Sequence, residues 1–222
     1  MVLITFPQSA AVAKLVVFDM DGVLADIESS WVHVHKHFGV NNDHSLRAYL
    51  RGEITDLEFI RRDIQLWREK EPGITERRIS DILADVPLMP GANDALRGLR
   101  RAGCKTAIVS AGIEVLAKRI AKELEIDIYL ANGFVTDRSG ELSGEGILKV
   151  RLMDKGDGVE MAAKALGVER GRIVSVGNSR YDVSMFRRSS KGIAFCPSDD
   201  IVREEADAVV DEKNLAKILE HI

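Results

Sequence analysis

Six short, mostly apolar runs divide the chain, with polar or turn residues between them. They lie at residues 15–18, 106–109, 128–130, 173–176, 193–195 and 208–210. Runs of this length indicate strands that are buried on both faces of a sheet. Between the runs, apolar residues recur every three or four positions, most clearly at 96–99, 115–124, 159–166 and 215–222, as in amphipathic helices. Strands that alternate with helices predict βαβ units and a parallel sheet.

Two regions depart from this alternation. Residues 26–86 carry helical patterns, with Trp31, Ile64 and Trp67 among their apolar positions, and no convincing strand. Such an insertion after the first strand predicts a helical cap that excludes water from the strand ends and selects a substrate. Residues 133–150 contain the turn signal Arg138-Ser139-Gly140 and predict a β-hairpin beside the site.

These patterns predict an α/β fold, a doubly wound (Rossmann-like) parallel sheet core with a small inserted helical cap domain. The core is predicted at residues 1–24 and 89–222, and the cap at residues 25–88. Residues 1–13 are predicted to form a short extension before the first core strand, and we assign them no role.

Composition is typical of a globular protein with a sizeable core, since 45% of the residues are hydrophobic and 30% are charged. The formal net charge of −4 gives no electrostatic reason to expect nucleic acid or an anionic membrane as a partner. Cys104 and Cys196 lie far apart and favour a reducing compartment. No apolar run approaches a membrane span, and the first residues lack the basic segment of a signal peptide, so we expect a cytoplasmic protein.

Two aspartates, Asp19 and Asp21, follow the first apolar run in the segment Asp19-Met20-Asp21-Gly22. Open parallel sheets bind ligands at the carboxyl ends of their strands, where these two carboxylates would lie. Two carboxylates without a basic neighbour repel each other, so a hard divalent cation is expected to offset them. An acidic turn, or a fragment of a calcium-binding loop, would have the same short pattern.

Three further segments lie at or near the ends of later elements. Ser110 and Ala111 follow the second run and predict an anion site at a helix N-terminus, Lys155 opens a helix, and Asn178 and Asp182 follow the fourth run. Each also has an ordinary structural explanation, namely a helix N-cap, a solvated lysine or a polar turn. Their order and their common position at strand ends make chance the weaker explanation.

Taken in order, these segments resemble the four motifs of the haloacid dehalogenase superfamily, whose first motif is DxDx(T/V). The segments 177–186 (GNSRYDVSMF) and 192–196 (GIAFC) are similar to the GDGANDxxMF and IAFxA segments of the phosphoserine phosphatase family. Pro90-Gly91 and Val109-Ser110 fall where that family has its xEGA and VSGG segments. The likeness covers nearly everything from Lys14 onward.

The resemblance implies a role for each matching residue. Asp19 would attack phosphorus and form an aspartyl-phosphate, and Asp21 would act as acid and then as base. Ser110, Ala111 and Lys155 would bind the phosphoryl group. Mg²⁺ would be bound by Asp19, the Met20 carbonyl and Asn178, and Asp182 would orient Lys155 or a metal-bound water.

For the remainder of the substrate, the resemblance implies that Glu28 meets an ammonium group. The cap arginine that pairs with a substrate carboxylate in the family falls at Asp63 here, so Arg62 would have to replace it by a small shift. Two more departures are Asn178, where the family usually has Asp, and Tyr181, where it usually has Asn. Loss of one negative charge at Asn178 is expected to weaken Mg²⁺ binding.

We therefore expect a Mg²⁺-dependent phosphomonoester hydrolase that acts on O-phospho-L-serine or a similar small amino-acid phosphate. A dehalogenase is disfavoured, because Asp21 has no role in that chemistry. The alternatives are a phosphatase for another small phosphorylated metabolite, with Glu28 meeting a hydroxyl, and a non-catalytic binding protein that retains the fold. The oligomeric state is not predicted.

Overall fold

A computed structural model describes residues 15–222 of the chain, so the extension predicted at residues 1–13 lies outside the described residues. Over that range the strands are β1 (Leu15–Phe18), β2 (Lys105–Ile113), β3 (Ile128–Thr136), β4 (Leu142–Ile147), β5 (Ile173–Gly177), β6 (Lys191–Phe195) and β7 (Ala208–Val210). They form one sheet in the order β4-β3-β2-β1-β5-β6-β7. All neighbouring pairs are parallel except β3 and β4, which form an antiparallel hairpin.

The helices lie between the strands, and five of the described ones fall between β1 and β2. They are α1 (Ser30–Phe38), α2 (Asp43–Leu50), α3 (Asp56–Lys70), α4 (Glu76–Ile82), α5 (Ala92–Arg101), α6 (Glu114–Leu124), α7 (Gly156–Leu166), α8 (Val183–Arg187) and α9 (Asp200–Glu204). Short 3₁₀ helices span Arg170–Arg172, Arg180–Asp182 and Leu215–His221.

Strand β1 lies at the centre of the sheet and is buried on both faces. Val16 and Phe18 pack into the larger hydrophobic cluster, which includes Leu96 of α5. Leu15 and Val17 pack into a second cluster, which includes Val159 of α7. Helices therefore cover both faces of the sheet, which confirms the predicted doubly wound core and explains the continuously apolar sequence of β1.

Helices α1 to α4 form the cap. Two connecting segments link it to the core, and an isolated antiparallel bridge between Ala25 and Leu88 joins them. The amide of Met89 donates to the carbonyl of Leu24 at 2.8 Å beside this bridge. The predicted domain boundaries, at 24/25 and 88/89, lie beside this bridge and stay a prediction.

The cap shares its hydrophobic interior with the core. Ile64 and Trp67 of α3 are fully buried in the cluster that also holds Phe18 of β1 and Leu96 of α5. Helix α3 also contacts the hairpin, since Arg61 pairs with Glu145 at 2.7 Å. The cap is thus packed against the strand ends by burial of apolar surface, with ion pairs at its edge.

Three details differ from the sequence prediction. Strand β2 continues to Ile113, four residues past its predicted end, because its last residues pair again with β3 after an irregularity. Helix α2, with the sequence DHSLRAYL, was not predicted as a separate element. The C-terminal stripe forms a 3₁₀ helix, Leu215–His221, instead of an α-helix, and buries Leu215, Ile218 and Leu219.

Along residues 15–222, no helix has the length and apolar character needed to cross a membrane.

The shared interior predicts that cap and core unfold together. We expect Ile64→Ala to destabilise the whole chain by about 2–5 kcal/mol, because it leaves a cavity in a fully buried position. Urea unfolding followed by tryptophan fluorescence, which reports on the cap, should coincide with far-UV circular dichroism in one transition. Leu57→Ala on the same helix, where the side chain is 42% exposed, is the matched control with little expected effect. Two separate transitions would contradict the shared core.

Candidate active site

The carboxyl end of β1 carries the two aspartates into a tight turn. The amide of Asp19 donates to the carbonyl of Val176 on β5 at 2.9 Å, so Asp19 lies at the point where the connections leave the sheet in opposite directions. Gly22 has a left-handed backbone with φ of 77°, and a side chain there would overlap the amide of Asn178. The turn therefore brings the aspartates beside the loop that follows β5.

The predicted metal-binding role of the Met20 carbonyl does not fit this turn. That oxygen accepts the amide hydrogens of Leu24 and Ala25, each at 2.9 Å, and of Val23 at 3.3 Å. A carbonyl has two lone pairs, so these donors leave it no capacity for a cation. The tight turn that positions the aspartates uses this oxygen for its own hydrogen bonds.

Ser30, the first residue of α1, holds Asp21 in place. Its backbone amide and its hydroxyl both donate to Asp21 Oδ2 at 2.8 Å. The same hydroxyl accepts the amide hydrogen of Ile113 at 3.0 Å. Ser30 thus joins the cap, the acidic turn and β2, while Asp21 Oδ1 is buried without a hydrogen-bond donor.

Ser110 lies in the site, but not at a helix N-terminus as predicted. Ser110, Ala111 and Gly112 form the irregular part of β2, and α6 begins only at Glu114. The Ser110 hydroxyl accepts the amide hydrogen of Gly112 at 3.1 Å. A side chain at Gly112 would come within 2.8 Å of Asp21 Oδ2, so only glycine allows the strand and the acidic turn to approach this closely.

Asn132 supports this irregular segment from β3. Its amide nitrogen donates to the carbonyls of Ala111 at 3.1 Å and Val150 at 2.9 Å. Its amide oxygen accepts from the backbone amides of Lys149 and Val150, each at 2.9 Å. The buried side chain therefore fixes the segment containing Ser110 relative to the loop that leads to Lys155.

Lys155 lies between two carboxylates in the interior. Its ammonium nitrogen is 2.6 Å from Asp182 Oδ1 and 3.0 Å from Asp19 Oδ1. The other oxygen of Asp182 accepts the amide hydrogens of Asn178 at 2.8 Å and Ser179 at 3.0 Å. Asp182 therefore orients both Lys155 and the loop after β5, which is the first of its two predicted roles.

Burial dominates the electrostatics of this group. It raises the pKa of Asp19 to about 7, the charge of Asp182 adds to the increase, and Lys155 opposes it. Burial also raises the pKa of the Asp21 carboxyl, against the hydrogen bonds from Ser30. Burial lowers the pKa of Lys155, but the charges of Asp182 and Asp19 more than offset this, so its pKa lies above its usual range.

The residues present fit a hard divalent cation. The Oδ1 atoms of Asp19 and Asp21 are buried and receive no hydrogen bond, although Lys155 forms an ionic contact with the first. With Asp182, the site holds three carboxylates against one lysine, so full ionisation leaves two negative charges unbalanced. Asn178 lines the same cavity and offers an amide oxygen, a type of ligand that Mg²⁺ accepts.

A cavity of about 470 Å³ extends from this group to the underside of the cap. Its size suits a small ligand. The side chains that line its cap side are mostly apolar or acidic, namely Glu28, Trp31, Val32, Leu46, Asp56, Phe59, Ile60 and Asp63. The predicted residues Asp19, Asp21, Ser110, Ala111, Lys155 and Asn178 line the opposite side, together with Tyr181.

The structure brings Glu28 to the cavity but not Arg62. Glu28 is exposed and pairs with Lys36 at 3.3 Å. The Arg62 guanidinium pairs with Glu58 at 2.9 Å on the same helix and is absent from the residues lining the cavity between positions 15 and 222. Asp63, at the adjacent position, is buried and accepts hydrogen bonds from Asn42 at 3.0 and 3.3 Å.

Sequence reasoning missed three residues that support the site. Asn132 interrupts an otherwise mostly apolar strand, which is a signal that could have identified it. Ser30 and Ser184, whose hydroxyl accepts the amide hydrogen of Lys155 at 2.9 Å, carry no comparable signal. Their contacts join parts of the chain that only the folded structure brings together.

Comparison with known proteins agrees with this geometry. The model of the haloacid dehalogenase-like hydrolase family matches residues 13–189. The chain is 29% identical to the phosphoserine phosphatase of Wolinella succinogenes, over 94% of this chain and 100% of that protein. It is 30% identical to the phosphoserine phosphatase of Idiomarina loihiensis, over 92% and 91%. A solved phospho-aspartyl intermediate analogue of phosphoserine phosphatase superposes with a TM-score of 0.79 at 25% identity, over 95% of this chain and 99% of that one.

The raised pKa of Asp19 predicts a pH-dependent loss of stability when divalent cations are removed. Its folded-state pKa of about 7 lies above the ordinary 3.8, so its contribution to stability is complete below about pH 4 and is lost as the pH rises through 7. Urea unfolding in EDTA should show wild type losing more stability between pH 5 and pH 8 than Asp19→Asn, by an amount on the order of 1–4 kcal/mol. Equal losses in the two proteins would show that Asp19 is not the responsible group.

Proposed function

The chain belongs to the haloacid dehalogenase-like hydrolase family, and we propose that it is a Mg²⁺-dependent phosphomonoesterase that forms an aspartyl-phosphate on Asp19. One observation carries the proposal. The carboxylates of Asp19 and Asp21 and the Lys155 ammonium converge on a cavity beneath the cap, with Asp19 Oδ1 3.0 Å from the ammonium and Asp21 Oδ1 buried without a hydrogen-bond donor. A nucleophile, a separate acid/base and a cation are the groups that hydrolysis through a covalent intermediate requires.

Asp19 is the nucleophile in this mechanism. Its carboxylate oxygen forms a bond to phosphorus while the bond between phosphorus and the substrate alcohol breaks. Lys155 is held by Asp182 within 3.0 Å of Asp19, so it keeps the nucleophile oriented and offsets negative charge as the phosphate approaches. Ser110 and the backbone of the irregular segment of β2 bind the phosphoryl oxygens.

Asp21 transfers protons in both steps. The hydrogen bonds from Ser30 fix its Oδ2 and leave Oδ1 to carry the proton. Because burial raises the pKa of Asp21, the carboxyl can be protonated when the alcohol leaves. Asp21 gives that proton to the departing alcohol oxygen. It then takes one from water as the water oxygen bonds to phosphorus and the bond between phosphorus and the Asp19 oxygen breaks, which releases phosphate and the free carboxylate.

Mg²⁺ would be held by Asp19 and Asn178. The Asp21 carbonyl, which accepts no hydrogen bond within residues 15–222, replaces the Met20 carbonyl in this proposal. When bound, the ion supplies positive charge that reduces the repulsion between the phosphate and the carboxylates. The side-chain oxygens that need this charge are those of Asp19 and Asp21, because the one lysine of the group is already shared between Asp19 and Asp182.

The relatives named phosphoserine phosphatase make O-phospho-L-serine, or a similar small amino-acid phosphate, the first substrate to test. A phosphatase for another small phosphorylated metabolite is the second candidate. One observation favours it, because the cap side of the cavity presents carboxylates, while Arg62 is paired outside the cavity. The absence of a membrane-spanning helix within residues 15–222 agrees with a cytoplasmic metabolic enzyme, which completes the proposal.

Phosphate release from a panel of small phosphomonoesters, with Mg²⁺ and with EDTA, tests this function. We expect Mg²⁺-dependent turnover that falls by at least about 10³-fold in Asp19→Asn, since the amide is not a nucleophile. Circular dichroism should show that the variant is folded, and Glu123→Gln on the exposed face of α6 should behave as wild type. Turnover of the Asp19→Asn protein near the wild-type rate would refute the covalent mechanism.

The neutral ligand at Asn178 predicts weak Mg²⁺ binding. Asn178→Asp adds a negative charge, so we expect the half-saturating Mg²⁺ concentration to fall roughly tenfold. The melting temperature measured against Mg²⁺ concentration gives this value without reference to turnover, because a ligand of the folded state stabilises it. Asn178→Ala should shift the midpoint in the opposite direction. An unchanged midpoint in both variants would mean that Asn178 does not bind the ion.

A further inference from the structure

The part of the cavity that receives the substrate's alcohol is acidic. Three carboxylates line it from the cap, those of Glu28, Asp56 and Asp63. Among the cavity-lining residues within positions 15–222, Lys155 is the single lysine, arginine or histidine. Its ammonium group is already in contact with Asp19 and Asp182 at the phosphate end. The alcohol end therefore has negative charge without a side-chain cation.

Arg61 and Arg62, which precede Asp63 in the sequence, are engaged elsewhere. The guanidinium of Arg61 pairs with Glu145 at 2.7 Å and contacts Glu58 at 2.7 Å. Arg62 is held by Glu58 at 2.9 Å. Both arginines are thus tied to carboxylates of α3 or the hairpin, and neither lines the cavity along the described part of the chain.

The Asp63 carboxylate is fixed in position by a chain of buried polar groups. Trp67 donates its indole N–H to His35 Nδ1 at 2.8 Å, which assigns the proton of a neutral imidazole to Nε2. That atom is 3.5 Å from Asp63 Oδ1, and Asn42 donates to both oxygens of Asp63. The neutral amide of Asn42 therefore holds the carboxylate, and no lysine or arginine of residues 15–222 is paired with it.

The remaining two carboxylates are available to a positively charged group. Asp56 accepts hydrogen bonds from the Tyr49 hydroxyl at 2.9 Å and from the Leu152 amide at 3.0 Å, both through Oδ1. Glu28 pairs only with the exposed Lys36, and an exposed pair of this kind contributes little. Trp31 and Phe59 add aromatic surface to the same wall, which also favours an organic cation.

From these charges we propose that the enzyme selects phosphomonoesters whose alcohol carries a cationic amine and no carboxylate, that is, phosphorylated amino alcohols. Asp63 is the main determinant against a carboxylate, and Asp56 and Glu28 attract the amine. A substrate carboxylate would enter a partly desolvated cavity that presents like charge and no free cation, where repulsion is strong. This inference rests on the proposed phosphomonoesterase function and defines its substrate class.

Four substrates separate the effect of the amine on turnover from the effect of the carboxylate. Ethyl phosphate has neither group, O-phosphoethanolamine has the amine, the 3-phosphate of 3-hydroxypropionate has the carboxylate, and O-phospho-L-serine has both. With Mg²⁺ and the full chain, we expect the amine to raise kcat/KM by about tenfold or more and the carboxylate to lower it by about tenfold or more. O-phosphoethanolamine should then exceed O-phospho-L-serine.

Variants test which residues are responsible. Asp63→Asn keeps the shape of the side chain and should reduce the carboxylate effect, while Glu28→Gln should reduce the amine effect. If Asp63→Asn fails to fold, Leu46→Lys places a cation at the same cavity wall and should raise the ratio of phosphoserine to phosphoethanolamine turnover by about tenfold. Glu123→Gln, outside the cavity, should leave both ratios unchanged.

The outcomes distinguish this inference from the proposed function. Equal or higher kcat/KM for O-phospho-L-serine than for O-phosphoethanolamine in wild type would overturn the inference and leave the phosphatase intact. Failure to hydrolyse all four compounds, in a folded protein saturated with Mg²⁺, would overturn the proposed function and the inference together. If the ratio of phosphoserine to phosphoethanolamine turnover were unchanged in both Asp63→Asn and Leu46→Lys, Asp63 would not be the determinant against a carboxylate.

Discussion

The concentration of negative charge around Lys155 is the constraint that organises this molecule. Asp19 and Asp182 contact its ammonium group in the interior of the protein, and Asp21 lies in the same tight turn as Asp19. A buried cluster of charges lowers the stability of the fold unless each charge has a partner, because the free-energy cost of burying an unpaired charge is high. The tight turn after β1, the capping of the loop after β5 by Asp182, and the N-terminal position of Lys155 on α7 all serve that arrangement.

The cap completes the same arrangement. Its apolar residues belong to the interior of the core, so the cap covers the strand ends through the same burial that stabilises the sheet. Ser30 then joins the first turn of α1 to Asp21, and the Trp31 indole donates to the Ala111 carbonyl at 3.0 Å. The side chains that exclude water thereby also orient the acid/base group and the segment that receives phosphate.

The two ends of the cavity also differ in charge. The phosphate end combines carboxylates with a lysine and a place for a divalent cation, as transfer of a phosphoryl group requires. At the alcohol end, the buried Asp63 carboxylate accepts a hydrogen bond from the neutral amide of Asn42, and His35 Nε2 lies 3.5 Å from it. Residues far from the chemistry, on α1, α2 and α3, therefore decide which alcohol the same chemistry releases.

The sequence by itself determined the strands of the sheet, their order along the chain and the group of polar residues at their carboxyl ends. An apolar run such as residues 15–18 is a local feature of the sequence. A run this short and continuously apolar is best buried as a strand with both faces covered, as β1 is. Asp19, Asp21 and Lys155 could be identified because strand ends meet at one edge of a parallel sheet, and because the motifs resemble a known family.

Only the tertiary structure decided the rest. It showed that the Met20 carbonyl is used by the turn, that Ser110 lies in an irregular strand, and that Arg62 is paired with Glu58. Ser30 and Asn132 acquired their roles from partners 9 to 83 positions away along the chain. Whether a hydrogen bond or ion pair of this kind forms depends on differences of a few tenths of an ångström in the distance between its atoms. Periodicity and residue type do not encode such differences.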